Sequence, residues 1–215
     1  MTGPDDRPDA SQGNAQADTP GDSPKNPEES NTLPPDDGRT RDARMADARA
    51  RRRAWFEAGA PGRLYLHEAR GSNICDALYE PGLRGLPQRL RSLCAIMAML
   101  LGISAWKLFW YRLAGVTIGR NVEISYGAVL DPLAPWLITL EDGCFLGVDA
   151  IVAVHLFYKR KLVLRRVRIG RNAVVGLRGV AFASLGDGAV LGPNSTLLAD
   201  AAPGETLLGT PARPV

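Results

Sequence analysis

Residues 116–131 read VTIGRNVEISYGAVLD, residues 140–155 LEDGCFLGVDAIVAVH, residues 169–180 IGRNAVVGLRGV and residues 185–198 LGDGAVLGPNSTLL. An aliphatic residue opens a unit every six positions: Ile118, Ile124 and Leu130, then Leu140, Leu146 and Val152, then Leu185, Leu191 and Leu197, with Ile169 and Val175 between. Glycine or an acid often follows it, as at Gly119, Asp131, Glu141, Gly147, Gly170, Gly176, Gly186 and Gly192. A small residue tends to sit four places after it, as at Ala128, Ala150, Ala173, Gly179, Ala189 and Ser195. A period of six fits neither an amphipathic helix nor an alternating strand. It predicts an all-β solenoid, a hexapeptide β-helix whose short strands bury their apolar faces only by stacking coil on coil. Three hexads would close one triangular coil, aliphatics inward, with coils about 4.8 Å apart.

The same residues resemble the hexapeptide-repeat, or isoleucine-patch, acyltransferases. The resemblance covers residues 116–215 and is densest in LGDGAVLGPNSTLL and in the closing GTPARPV. The segment VAVHLFYKRKLVLRRVRIG resembles the histidine-then-loop segment of colanic-acid-type acetyltransferases, and the terminal domains of poly-lysine synthetases are similar. What the resemblance implies is a left-handed parallel β-helix, a homotrimer, and transfer of an acyl group from acetyl-CoA or another acyl-CoA at the subunit interfaces.

Ahead of the repeats the chain divides twice. Residues 1–38 hold nine acids against Arg7 and Lys25, a net charge of −7; the whole chain is +3, so residues 39–215 carry +10. With Leu33 as its only large aliphatic, the acidic tail buries too little apolar area to offset its ordering entropy and reads as disordered. The basic remainder suits an anionic partner, a membrane surface or a phosphorylated ligand. No nucleic-acid motif accompanies the charge. Residues 39–58 are rich in Arg and Ala and predict a helix, either solvated or touching anionic lipid. Residues 61–86 read as irregular, with His67 outside the repeats and hence structural or at the surface. Pro87 opens and Gly115 stops a hydrophobic helix over residues 87–113.

The middle of that helix, LCAIMAMLLGISAW, is apolar on every face, shorter than a confident membrane span, and followed by Lys107. Arginines flank one end, and Lys107 and Arg112 the other. Trp106, Trp110 and Tyr111 cluster as interfacial aromatics do. Two readings stand: association with a membrane, or burial against the solenoid. Cys75, Cys94 and Cys144 form neither a zinc spacing nor a disulfide framework. The start lacks a secretory pattern, so the expected location is cytoplasmic, with the inner membrane leaflet as a docking surface.

His155 is the only histidine of residues 116–215. It follows the inward Val152 by three positions, where a side chain does not enter the core, and the hexads lapse after it until Ile169. LFYKRK is therefore expected to loop out and LVLRRVRI to return as strand. Attack of a hydroxyl or amine on a thioester must shed a proton, and an imidazole, whose ordinary pKa is about 6.5, accepts one at neutral pH. The position also matches the family's catalytic histidine. A zinc hydratase on the same solenoid needs several histidines, so one histidine argues against it and against a metal. Lys159, Arg160, Lys161, Arg165, Arg166 and Arg168 would hold coenzyme phosphates or stay solvated. Gly176, Gly192, Ser195 and Arg213 are the coenzyme candidates, Arg213 because the resemblance puts the coenzyme near GTPARPV. After Val175 the pattern restarts at Leu185, two residues early, so that corner is either tightened or reshaped around a pocket.

The expected function is acyl transfer, to a hydroxyl of a sugar or cell-surface precursor, with His155 as general base. Amide formation and a non-catalytic scaffold are the alternatives. Deleting residues 1–38 should leave the thermal midpoint nearly unchanged by calorimetry, and a large drop would show that the tail packs.

Overall fold

The computed structural model describes residues 38–67, 85–100, 104–158 and 161–215. All of them belong to the compact unit Asn31–Val215; the other unit, Met1–Ser30, and with it the expected disorder of the tail, lies outside the described residues.

Thr40 caps helix α1 (Arg41–Glu57), its Oγ1 accepting from the Ala43 N–H at 3.3 Å. Met45, Ala48, Arg52 and Trp55 bury one stripe of α1, so the expected helix is packed rather than free in solvent. The region expected to be irregular contains strand β1 (Arg63–His67), and residues 68–84 lie outside the described ones. The hydrophobic segment forms two helices, α2 (Leu86–Leu100) and α3 (Ser104–Leu113). Gly115 ends α3 at φ +98°, with the Val116 N–H reaching back to the Tyr111 carbonyl at 3.0 Å. No helix among the described residues is long and apolar enough to cross a membrane.

The repeats then wind coil on coil. The first coil is β2 (Thr117–Ile118), β3 (Glu123–Ile124) and β4 (Val129–Leu130); the second is β5 (Ile138–Leu140), β6 (Phe145–Leu146) and β7 (Ile151–Val152). A hairpin, β8 (His155–Tyr158) and β9 (Lys161–Arg165), interrupts the winding. The third coil is β10 (Val167–Ile169), β11 (Val174–Val175) and β12 (Val180–Ala181), and the fourth keeps β13 (Val190–Leu191) and β14 (Thr196–Leu197). β15 (Thr206–Gly209) and β16 (Ala212–Pro214) close the chain.

Strands of successive coils pair in parallel, forming three faces that the chain visits in turn. The hexad aliphatics become three inward ladders. Ile118, Leu140, Ile169, Leu185 and Ala201 form one; Ile124, Leu146, Val175, Leu191 and Leu207 form the second; Leu130, Val152, Ala181 and Leu197 form the third. The missing aliphatic after Val175 is Ala181, fully buried in the third ladder, and four residues rather than six lead from it to Leu185. The corner is tightened.

Corner chemistry explains the rest of the hexad. Asn121, Asn172 and Asn194 hold φ of 52–53° in the turns, a conformation a short polar side chain tolerates. The glycine after each aliphatic stands against the next coil. A Cβ on Gly186 would meet Pro203 N at 2.4 Å, and one on Gly176 would meet Leu191 O at 2.8 Å.

The first coil has no coil before it, so β2, β3 and β4 each pair on one side only. Helix α3 covers that open edge. The Tyr111 hydroxyl accepts from the Leu130 N–H at 3.2 Å, Lys107 Nζ donates to the Ser125 carbonyl at 3.0 Å, and Arg112 Nη2 donates to the Gly119 carbonyl at 3.2 Å. Lys107 and Tyr111 are consequently buried, contrary to the expectation that they flank an apolar run at a membrane boundary. Burial pushes the Tyr111 phenol up to about 12, the Leu130 N–H working against it, and holds the Lys107 ammonium below its ordinary value.

Tyr111→Phe keeps the ring but strands a buried N–H. Stability should fall by about 1–3 kcal/mol, seen as a lower urea midpoint with unchanged slope. An unshifted midpoint would show that the edge needs no cap.

Candidate functional site

The second coil's third face ends at Val152, and the chain leaves the stack two residues later. Its exit is held by Asp131, which follows Leu130 one coil below. The Asp131 N–H donates to the Val152 carbonyl at 2.9 Å, which seats the carboxylate beneath the departing strand. Asp131 Oδ2 then accepts from the Val154 N–H at 2.9 Å and the His155 N–H at 3.2 Å, while Oδ1 accepts from the Leu133 N–H at 2.9 Å. The same Oδ2 takes a close hydrogen bond from His155 Nδ1. The Asp131 side chain is 1% exposed and that of His155 is 23% exposed.

The chemistry follows from that arrangement. A carboxylate accepts and does not donate, so the neutral imidazole carries its proton on Nδ1 and presents the Nε2 lone pair. A buried carboxylate bound to two backbone N–H groups of the same turn cannot swing away, and the ring it holds is oriented with it. The Phe157 ring stands edge-on to the imidazole, centroids 5.7 Å apart, and is half exposed. The loop expected after His155 is the hairpin β8–β9, which pairs antiparallel with β1 to make a separate three-stranded sheet beside the stack. His67 is the end residue of β1, in register with Lys161.

The four coenzyme candidates gather near the final coils. Gly176 and Gly192 occupy one corner on successive coils, where a Cβ on Gly176 would come within 2.9 Å of the Gly192 carbonyl carbon. Ser195 is buried, its Oγ accepting from the Gly209 N–H at 2.9 Å. Arg213 is exposed on β16, opposite Leu208. The small side chains at 176, 192 and 195 thus have reasons inside the stack, and Arg213 alone among the four extends a polar group to solvent. This corner precedes the face β4–β7–β12–β14, and His155 follows it, so the two lie at opposite edges of one sheet.

Three of the six residues of the basic cluster are bound within the protein. Arg165 Nη2 reaches Asp200 Oδ1 at 2.5 Å, and Arg166 Nε donates to the Gly59 carbonyl at 3.0 Å. Arg168 bridges Glu141 at 2.7 Å and Asp187 at 2.6 Å, holding both carboxyls below the ordinary range. Lys159 and Arg160 lie outside the described residues. Cys144 is buried in a corner, which pushes its thiol up to about 12 and leaves it a packing residue.

Asp131 is the residue that sequence reasoning missed. It stood in the slot where glycine or an acid follows the aliphatic, and Glu141 stands there too. The available signal was stacking: Leu130 lies in register with Val152, so position 131 meets the strand leading to His155.

Known proteins bear on the whole arrangement. The model for the hexapeptide repeat of succinyl-transferase matches residues 137–156 and 166–199. Among solved structures, a hexapeptide-repeat-containing acetyltransferase from Vibrio cholerae superposes with a TM-score of 0.50 at 18% identity, over 67% of this chain and 93% of that one. The same protein complexed with acetyl coenzyme A gives a TM-score of 0.50 at 18% identity, over 69% and 91%. The serine acetyltransferase of Neisseria gonorrhoeae gives 0.41 at 14% identity, over 81% and 89%. No curated protein matches in sequence. The likeness at 0.50 establishes the repeat-solenoid fold.

Nitrogen NMR of imidazole-labelled protein should find the His155 proton on Nδ1 in the neutral ring, and Asp131→Ala should abolish that fixed state while His67 is unchanged. A wild-type ring protonated on Nε2 would remove the arrangement described.

Proposed function

We propose, for a chain whose repeat region belongs to the hexapeptide-repeat family, that it transfers an acyl group from acetyl-CoA or a related acyl-CoA to a hydroxyl. The observation that carries this is the half-buried imidazole of His155, fixed through Nδ1 by buried Asp131 where the hairpin leaves the stack.

The acceptor O–H gives its proton to Nε2 as its oxygen attacks the thioester carbonyl carbon. The tetrahedral intermediate collapses, the carbon–sulfur bond breaks, and the imidazolium returns the proton to the departing sulfur. Asp131 stabilises the imidazolium and keeps Nε2 pointed outward, acting through His155 rather than on the substrate. The exposed Phe157 ring next to the base suits the C–H face of a sugar, which favours a sugar or cell-surface precursor as acceptor.

The solenoid is taken as left-handed and the molecule as a homotrimer. The opposite-edge placement of His155 and the Gly176–Gly192 corner supports a site shared between copies. An acyl donor lying along that corner of one copy would meet the His155 of its neighbour. Arg213 is then positioned to meet a coenzyme phosphate, and residues 176 and 192 to let the chain pass close to the coil.

Replacing His155 by alanine should lower acceptor-dependent thioester cleavage by ~10²- to 10⁴-fold, while titration calorimetry still registers donor binding. His67→Ala should stay active. Near-wild-type turnover of His155→Ala with a demonstrated acceptor would overturn the mechanism.

A further inference from the structure

The capping helix and its neighbour carry their side chains the opposite way from most amphipathic helices. On α2 the buried positions are Ser92, Ala95 and Ala98, all small. Leu86, Leu90, Leu93, Met97 and Leu100 recur at helical spacing along the other side and are exposed, Leu93 at 53% and Leu100 at 75%. On α3 the inward side holds Lys107 and Tyr111, committed to the first coil's edge, and the outward side holds Trp106, Phe109 and Leu113, with Trp106 at 57%. α2 and α3 pack against each other, so the two stripes belong to one helical pair. Large apolar side chains exposed in rows along two packed helices mark a docking site.

Charge identifies the occupant. From Pro81 to Val122 the sequence contains no Asp or Glu and six Arg or Lys, and neither helix has an acid. Arg89 borders the α2 stripe one turn from its start and is exposed, as is Arg91, whereas the Arg112 guanidinium is turned to the first coil's carbonyls. Two copies meeting face to face through this surface would set arginines against arginines with no carboxylate on either helix to answer them. An anionic lipid headgroup layer answers them directly. It also accepts Trp106 at its boundary and the leucine side chains below it. Neither helix spans a bilayer, so the contact is with one leaflet.

We infer that the α2–α3 pair lies flat on an anionic membrane surface, its exposed leucine, methionine and aromatic side chains in the acyl boundary and Arg89 at the phosphates. This stands apart from the proposed acyl transfer, which is assayed with soluble substrates and no vesicles, so either can fail alone.

The test is flotation of the full chain with vesicles of phosphatidylcholine, alone or with about one-third phosphatidylglycerol. The wild type should float with the anionic vesicles, far less with the neutral ones, and less as salt rises. The triple variant Leu93→Glu, Met97→Glu, Phe109→Glu should lose ~10-fold or more of its partitioning while keeping its circular dichroism. If that variant fails to fold, the wild type still decides: bromolipid in the anionic vesicles should quench its fluorescence, and Trp106→Phe should remove most of that quenching. A wild type that stays with the soluble fraction overturns the inference. So does a folded triple variant that floats equally well, or a wild type whose oligomer, rather than its vesicle binding, is lost on substitution.

Discussion

A carboxylate sealed inside a stack of coils has to find donors, and Asp131 finds four of them. Three are backbone N–H groups and the fourth is the imidazole of His155. Leaving any of these unmade would strand a charge or a donor away from water. The same anion therefore fixes the turn entering Leu133, the point at which the chain departs after Val154, and the plane of the imidazole. A loop anchored only by its own hairpin would leave that ring free to turn. Here the ring is held by a residue of the coil beneath, and the base inherits the rigidity of the solenoid.

The opposite end of the same economy is visible in α3. A solenoid's first coil exposes backbone groups that no preceding coil can take, and the helix that covers them must turn polar atoms inward. Lys107, Tyr111 and Arg112 do so. The large apolar residues of the segment are then displaced to the outside. The surface of the helical pair and the closure of the repeat region are two results of one requirement.

Much of the fold was legible because stacking writes itself into sequence as phase. The aliphatic at each hexad start became a ladder position without exception from Ile118 to Leu197, and the following glycines, Gly192 apart, proved to be places where the next backbone leaves no room for a Cβ. The short corner after Ala181 was visible as a break in phase. His155 stood out because it sits where the phase lapses. Asp131 did not, since its partners lie 23 and 24 residues on, and a slot that also admits Glu141 gave no reason to separate it. The helical segment misled for a related reason. A run that is apolar on every face looks the same whether its few polar residues interrupt it or are spent against a sheet edge, and only the position of that edge decides. β1 was hidden among Gly and Pro because it exists as a partner for β9, a pairing of residues about a hundred positions apart.

Parallel coils have a hazard built into them: each end is a template for another copy of the same ladder. At the far end, β15 is followed by β16, which runs antiparallel along it, Leu207 against Pro214 and Gly209 against Ala212. That reversal occupies the hydrogen-bonding groups a further parallel coil would use, and Pro214 offers no N–H to continue the sheet. With α3 lying over the near end, the first coil's edge and the outer side of β15 are both covered, while β14 still ends its own sheet. Growth by end-to-end addition is thereby opposed at the near end and on the face that β15 closes, which is two of the places where a parallel ladder would otherwise continue.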